Sequence, residues 1–581
     1  MPHRSFIYGM ILVAAVSLQA ARLPPARVAL DLQNVQAAAS SASSSNHSTI
    51  AARQAGAIAR LRARLDARPD DVQTMATLAG LYMNVGNLAK AELLLAKAAK
   101  LDPGSSTIRL NWAAALARLH RYPEAEAALK GIRAPSTPAS RIEYWRIKAS
   151  IALGLGNRRV AARDMEEALA VDPQNPGLRL ATGLAETEAG RWNTAIQTLA
   201  PVFDSTHDPS AGLALLRAQT AAHQDASRTL AELDGLSFPP AQDVAFRVEM
   251  GRILVQAGME GQAASEFQRA ARESPLRADL FYDLALAQFD AGQIGAALAS
   301  AQRAKSSADS GAVESLLGDI DEKRGDSLAA VHSYQAAVRL EPGNEQYYMA
   351  LGLELLRHQT YKPAAAVFRD AAQRFPRSAR ARIALGVTDY LLEEYSAAAK
   401  DLMAAGRLGK DPVMAYQYLG ETQLEQPPAP DVAAVTQLCN FSDAHPWNSH
   451  LSGYCGALLA RSEHEQGNPA PSQDAMRRLE AAARLNPNDA IARCELGKAY
   501  EEMKQWQPAR ESLEVCARLT PDSAEVHYRL ARVCQALRDG PCAKQQTQLH
   551  DEAVKKVVTQ NAAHDRTLRK FLYTMKNYAS Q

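Results

Sequence analysis

Three groups of residues in this 581-residue chain are of types that do chemistry. Six cysteines, Cys439, Cys455, Cys494, Cys516, Cys534 and Cys542, lie in the last quarter, where thiols could pair or bind a soft metal. Glu463, His464 and Glu465 stand side by side, two carboxylates and an imidazole of the kind that ligate a divalent ion. GLGNRR at 154–159 has the glycines that begin a phosphate-binding loop. Each signal weakens on inspection. No CxxC pair occurs, which argues against a zinc ribbon or thioredoxin-like chemistry. The acidic–histidine run is single, with no recurring ligands, and reads as a solvated polar loop. GLGNRR lacks a preceding strand and a third glycine, so it reads as a turn between helices. Walker-type glycine loops, HExxH and GxSxG are all missing. The expectation is a chain that is not an enzyme, with no catalytic residues, no cofactor and no metal.

The elements that carry these residues come next. Alanine is abundant and aromatic content is 6%, which favours helices with small contact residues over sheets. The 65 basic and 63 acidic residues leave a net charge of +2, scattered along the chain, which argues against a nucleic-acid partner. Residues 1–29 hold FIYGMILVAAVSLQAA from Phe6, a charge-free run suited to a signal-peptide core or, alternatively, an uncleaved membrane anchor. Export outside the cytoplasm is expected on that ground, periplasmic or extracellular if cleaved. Residues 30–49, rich in Ala and Ser, read as a flexible linker.

The stretch ALGLELLRHQTYKPAAAVFRDAAQRFP at 350–376 shows how the rest is built. Its Gly352 belongs to a column: Gly251, Ala285, Gly318, Gly352, Gly386 and Gly420 follow at spacings of 34, 33, 34, 34 and 34. A second small column includes Ala330, Ala364 and Ala398, a bulky one Phe267, Tyr334, Phe368 and Leu402, and Pro342, Pro376 and Pro487 close units. Two antiparallel helices of about a dozen residues with a short turn fill such a period. Only Gly or Ala fits where they cross closely, and each pair leaves an apolar face that a neighbour must cover, so units stack into a solenoid.

This pattern resembles the tetratricopeptide repeat over about residues 50 to 550. The resemblance implies an all-α, right-handed superhelical solenoid of about 13–14 helix-turn-helix units. Residues 50–412 form the regular array with a leading cap helix. Residues 413–489 are degenerate units with insertions at 425–431 and 462–474, and 490–557 hold the last units. It also implies a non-enzymatic scaffold that binds protein or peptide partners on its concave face, through positions 2, 5, 9 and 12 of each first helix. Those positions include Tyr282, Phe289, Asp319, Glu322, Met349, Leu353, Leu356, Ile383, Val387 and Tyr390. An extended peptide or a helix with apolar anchors and a basic residue suits that mixture of apolar groups and acid. The alternative is that a tight superhelix hides these side chains. A subunit of an envelope secretion, polysaccharide-export or outer-membrane assembly machine is a second reading. An enzyme with a site in the 425–487 insertions, or a cytoplasmic regulator, is a third.

In the repeat frame Cys494 and Cys516 stand at similar levels of one helix pair, Cys534 and Cys542 flank one turn, and Cys439 and Cys455 lie on adjacent helices. The expectation is three local bridges, 439–455, 494–516 and 534–542; the alternative is small buried free thiols. Residues 558–581 end in RTLRKFLYTMKNYASQ, a basic amphipathic helix whose Leu568, Phe571, Leu572, Met575 and Tyr578 share a face. It is expected to cap the solenoid, or else to bind an anionic membrane or a partner.

Overall fold

The computed structural model describes residues 44–409, 412–426, 429–468, 470–557, 568–572 and 575. The expected signal or anchor at 1–29 and most of the 30–49 linker lie outside them. Residues 44–49, expected in the linker, are instead the first turns of a helix, Ser44–Ala67. Among the described residues this leading helix precedes 28 others that form 14 antiparallel pairs, from Val72–Asn84 with Leu88–Leu101 to Ala524–Ala536 with Gly540–Val557. The architecture is all-α, in paired helix-turn-helix units. Contacts divide it into two compact units, the described residues up to Pro275 and those from Leu276 onward.

Local rules set the helix ends. The first helix of many pairs is capped by a short polar side chain that follows the closing proline. Ser378 accepts from the Ala381 amide, Asn175 from Leu178, and Asp489 from Ala492. The turn inside a pair is tighter and passes through the left-handed region. Gly325 takes that conformation at φ 79°, but Gln359 holds it at φ 57° with a full side chain. Second helices start straight out of this turn, and Tyr361–Arg374, like several others, has no side-chain cap.

The column of small residues is explained by what faces it. A Cβ added to Gly352 would stand inside the contact distance of the Phe368 ring, sixteen residues on. The same relation recurs at Gly251 against Phe267 (2.7 Å), Gly386 against Leu402 (2.7 Å) and Gly497 against Leu513 (2.7 Å). Phe368, Ala364 and Ala371 are all fully buried, so one bulky side chain and three small residues make this crossing.

The units at 413–489 depart in an instructive way. Thr436, sixteen residues after Gly420, is exposed, and Tyr454 of the next first helix, Ser449–Glu465, stands against Gly420 instead, 2.5 Å from an added Cβ. Gly456 meets Leu479, seven residues later than the usual partner, which absorbs the insertion. That insertion is shorter than 462–474. Ser462–Glu465 continue their helix, so the Glu463–His464–Glu465 run sits in a last helical turn and not in a loop. Glu463 there accepts the Ser472 amide at 2.7 Å and closes the connection to the next helix.

All six cysteines are bridged, in the pairs expected from the repeat frame. Cys439–Cys455 joins a second helix to the next first helix (Cα–Cα 5.2 Å). Cys494–Cys516 ties the two helices of one pair (5.0 Å), and Cys534–Cys542 spans the turn of the last (5.8 Å).

Candidate protein-binding groove

The expected groove residues all lie in the unit from Leu276 onward, on first helices Ala278–Asp290, Gly311–Arg324, Glu345–Arg357 and Ala379–Leu391. The structure splits them into two groups. Tyr282, Phe289, Asp319 and Leu353 are half-buried and Glu322 is exposed. This end keeps side chains within reach of a partner.

Its acidic residues already have internal work. The buried Tyr334 phenol donates to Asp319 Oδ1 at 2.8 Å and to Glu322 Oε2 at 3.3 Å. Burial, with those two carboxylates, pushes the phenol well above its ordinary range and keeps it a donor. Arg357 pairs with Glu322 at 2.9 Å and also with Glu354. The stripe is therefore a hydrogen-bonded network with one open edge at Glu322, rather than a row of free carboxylates. Tyr282 lies near Tyr347, whose phenol is pushed up to about 12 by burial, the Glu341 carboxylate and Tyr282 itself.

The second group does not line an open surface. Met349 and Leu356 have no exposed area, and Ile383, Val387 and Tyr390 are exposed by 3% or less. The expectation of reachable side chains is corrected at these five positions. Leu353 and Val387 occupy the same place in consecutive units, yet Leu353 is half-open while Val387 is 1% exposed. The second group belongs to an apolar cluster that also contains Leu568, Phe571 and Met575 from the C-terminal segment. That segment was expected to cap the last unit. Its described residues instead pack far upstream: Phe571 meets the Tyr418 ring edge-on at 5.9 Å, and Lys570 stands 5.5 Å over the same ring and 3.9 Å from Glu421. Tyr418, Glu421 and Tyr454 were missed. The signal that could have found them was the tyrosine density at 416–418 opposite a tail with an apolar helical face.

Asp389 sits beside Tyr390 and is 1% exposed. Burial raises its carboxyl to about 6, with Arg369 at 3.6 Å opposing the shift. The folded value exceeds the unfolded one, so native protein takes up a proton between roughly pH 4 and 6 and loses that stabilisation as pH rises through the window. Asp389→Asn is expected to match the parent near pH 4 and to be more stable by about 2–3 kcal/mol at pH 7. Thermal midpoints of both proteins across that range check it; a constant difference would contradict the assignment.

The fold and this face define an all-helical repeat scaffold. Two family models described as tetratricopeptide repeat match the chain, one over residues 86–151 and the other over 148–201, 248–312, 316–374 and 349–412. The chain is a tetratricopeptide-repeat protein. No significant match was found among curated proteins. Among solved structures it is similar to the APC/C hetero-tetramer Cut9–Hcn1, at 17% identity over 90% of this chain and 94% of that one, TM-score 0.32. Yeast Tom70 matches at 13% identity over 87% and 95%, TM-score 0.29. YrrB, described as a TPR protein with an unusual peptide-binding site, matches at 18% over 33% and 97%, TM-score 0.27. At such scores these likenesses carry no argument about function.

Proposed function

We propose that the chain is a non-enzymatic scaffold that binds protein or peptide partners on the concave, first-helix face of its repeats, in an oxidising compartment of the cell envelope. The observation that carries this reading is the open end of that face. Tyr282, Phe289 and Leu353 present apolar surface there beside the exposed Glu322 edge of the Tyr334 network. Aromatic and aliphatic anchors with one charge nearby are the composition from which binding hot spots are made. The three disulfides support the compartment, because reducing cytosol does not sustain structural bridges. The charge-free run from Phe6 supports export.

Crosslinking tests the face. Full-length tagged protein and a Tyr282→Glu, Leu353→Glu variant are crosslinked in the native host and their partners compared. The variant, with unchanged helix content, is expected to lose specific partners by about tenfold or more, as when hot-spot anchors are removed. An unchanged set would end this reading of the face.

A further inference from the structure

We propose that the chain's own C-terminal segment is a ligand held in cis on the first-helix face, and that the natural partner is a basic amphipathic helix that competes with it. This rests on the reading of that face as a binding surface. The segment follows the last helix pair, Ala524–Ala536 with Gly540–Val557, yet its buried residues belong to the cluster around Tyr418 and not to that pair's own cluster. It docks on the helix Val413–Glu425 instead, through Tyr418. Its contacts are those of a recognised helix. Leu568, Phe571 and Met575, at i, i+3 and i+7, are buried, while Arg569 and Lys570 between them stay exposed. Lys570 adds the charge, over the Tyr418 ring and toward Glu421.

Leu568, Phe571 and Met575, with Leu572 packed beside them, supply the apolar anchors and Lys570 the cation. On this reading the segment exchanges with a competing helix. It persists in cis because tethering gives an effective concentration on the order of millimolar. A partner must therefore present the same spacing, with apolar residues at i, i+3 and i+7 and a Lys or Arg just before the second, and must displace the tail. The open end, at Tyr282, Phe289 and Leu353, is where such a partner would first engage.

The test uses the full chain and a labelled peptide of residues 566–581. Phe571→Asp in the chain is expected to release the tail, so that the peptide binds this variant at least tenfold more tightly than the wild type. A peptide carrying the same Phe571→Asp change should bind neither. Lys570→Glu in the chain, at a half-exposed side chain that leaves the core intact, is expected to increase peptide binding about threefold; it keeps the test decisive if Phe571→Asp fails to fold. Equal peptide binding by wild type and both variants, or none by any, would overturn the proposal. Its failure is separable from failure of the scaffold reading. Crosslinked partners lost in the Tyr282, Leu353 variant without any tail effect would retain the scaffold and remove the cis ligand. Tail displacement with an unchanged partner set would do the reverse.

Discussion

Gly352→Leu is expected to destabilise the unit from Leu276 onward by about 3 kcal/mol, the upper end of what overpacking a dense core costs. A single added carbon already overlaps the buried Phe368 ring, and the backbone cannot retreat because Ala364 and Ala371 hold the second helix close. Phe368→Ala is expected to cost about 3–5 kcal/mol by the opposite route, a cavity in the same place. The double variant is the informative one. Leucine at 352 can fill part of the space that the ring vacates, so the two losses should fall short of their sum by about 1–3 kcal/mol. Urea-unfolding midpoints of the four proteins measure this. Strict additivity would show that the small column and the bulky column do not report one contact.

The second large effect is covalent. Unreduced, denatured protein is expected to show no free thiol, and reduced protein six, one for each of the bridged cysteines. Closing loops of this length is worth about 3 kcal/mol per bridge in the loop-entropy model. Cys455, Cys516 and Cys534 are fully buried, so reductant should act only once the helices open. Protein refolded in reductant should then exchange amide hydrogens much faster over 490–557, with 72–273 unchanged. Six free thiols before reduction would remove the bridges, and with them the structural support for an oxidising compartment.

What the sequence made legible was whatever recurs. Gly352 and Phe368 stand sixteen residues apart, and so do Gly251 and Phe267, so one contact was written several times along the chain. The cysteines became readable through the same frame, which fixes the level of each residue on its helix. Contacts that happen once were not readable. Tyr454, from the next pair, stands against Gly420 while Thr436 is exposed, and no period announces that exchange. Asp319 and Glu322 were placed correctly on their helix, yet their engagement by Tyr334 depends on a side chain's reach across a pair. Ile383, Val387 and Tyr390 were assigned to a face, and the frame says which way a position points. It does not say that these side chains are buried in a cluster that a segment from the far end of the chain joins. Ser462–Glu465 looked like a loop because they are polar, but polar residues end helices as readily as they leave them.

The bridges also have a mechanical consequence. A chain of helix pairs pulled from both ends gives up its length pair by pair, each pair yielding once its own crossing opens. Between Cys494 and Cys516, and within the other two bridges, the enclosed residues cannot pay out at all while the sulfurs stay joined. A load carried through this protein would stretch the bridge-free repeats first and leave the C-terminal ones short and stiff.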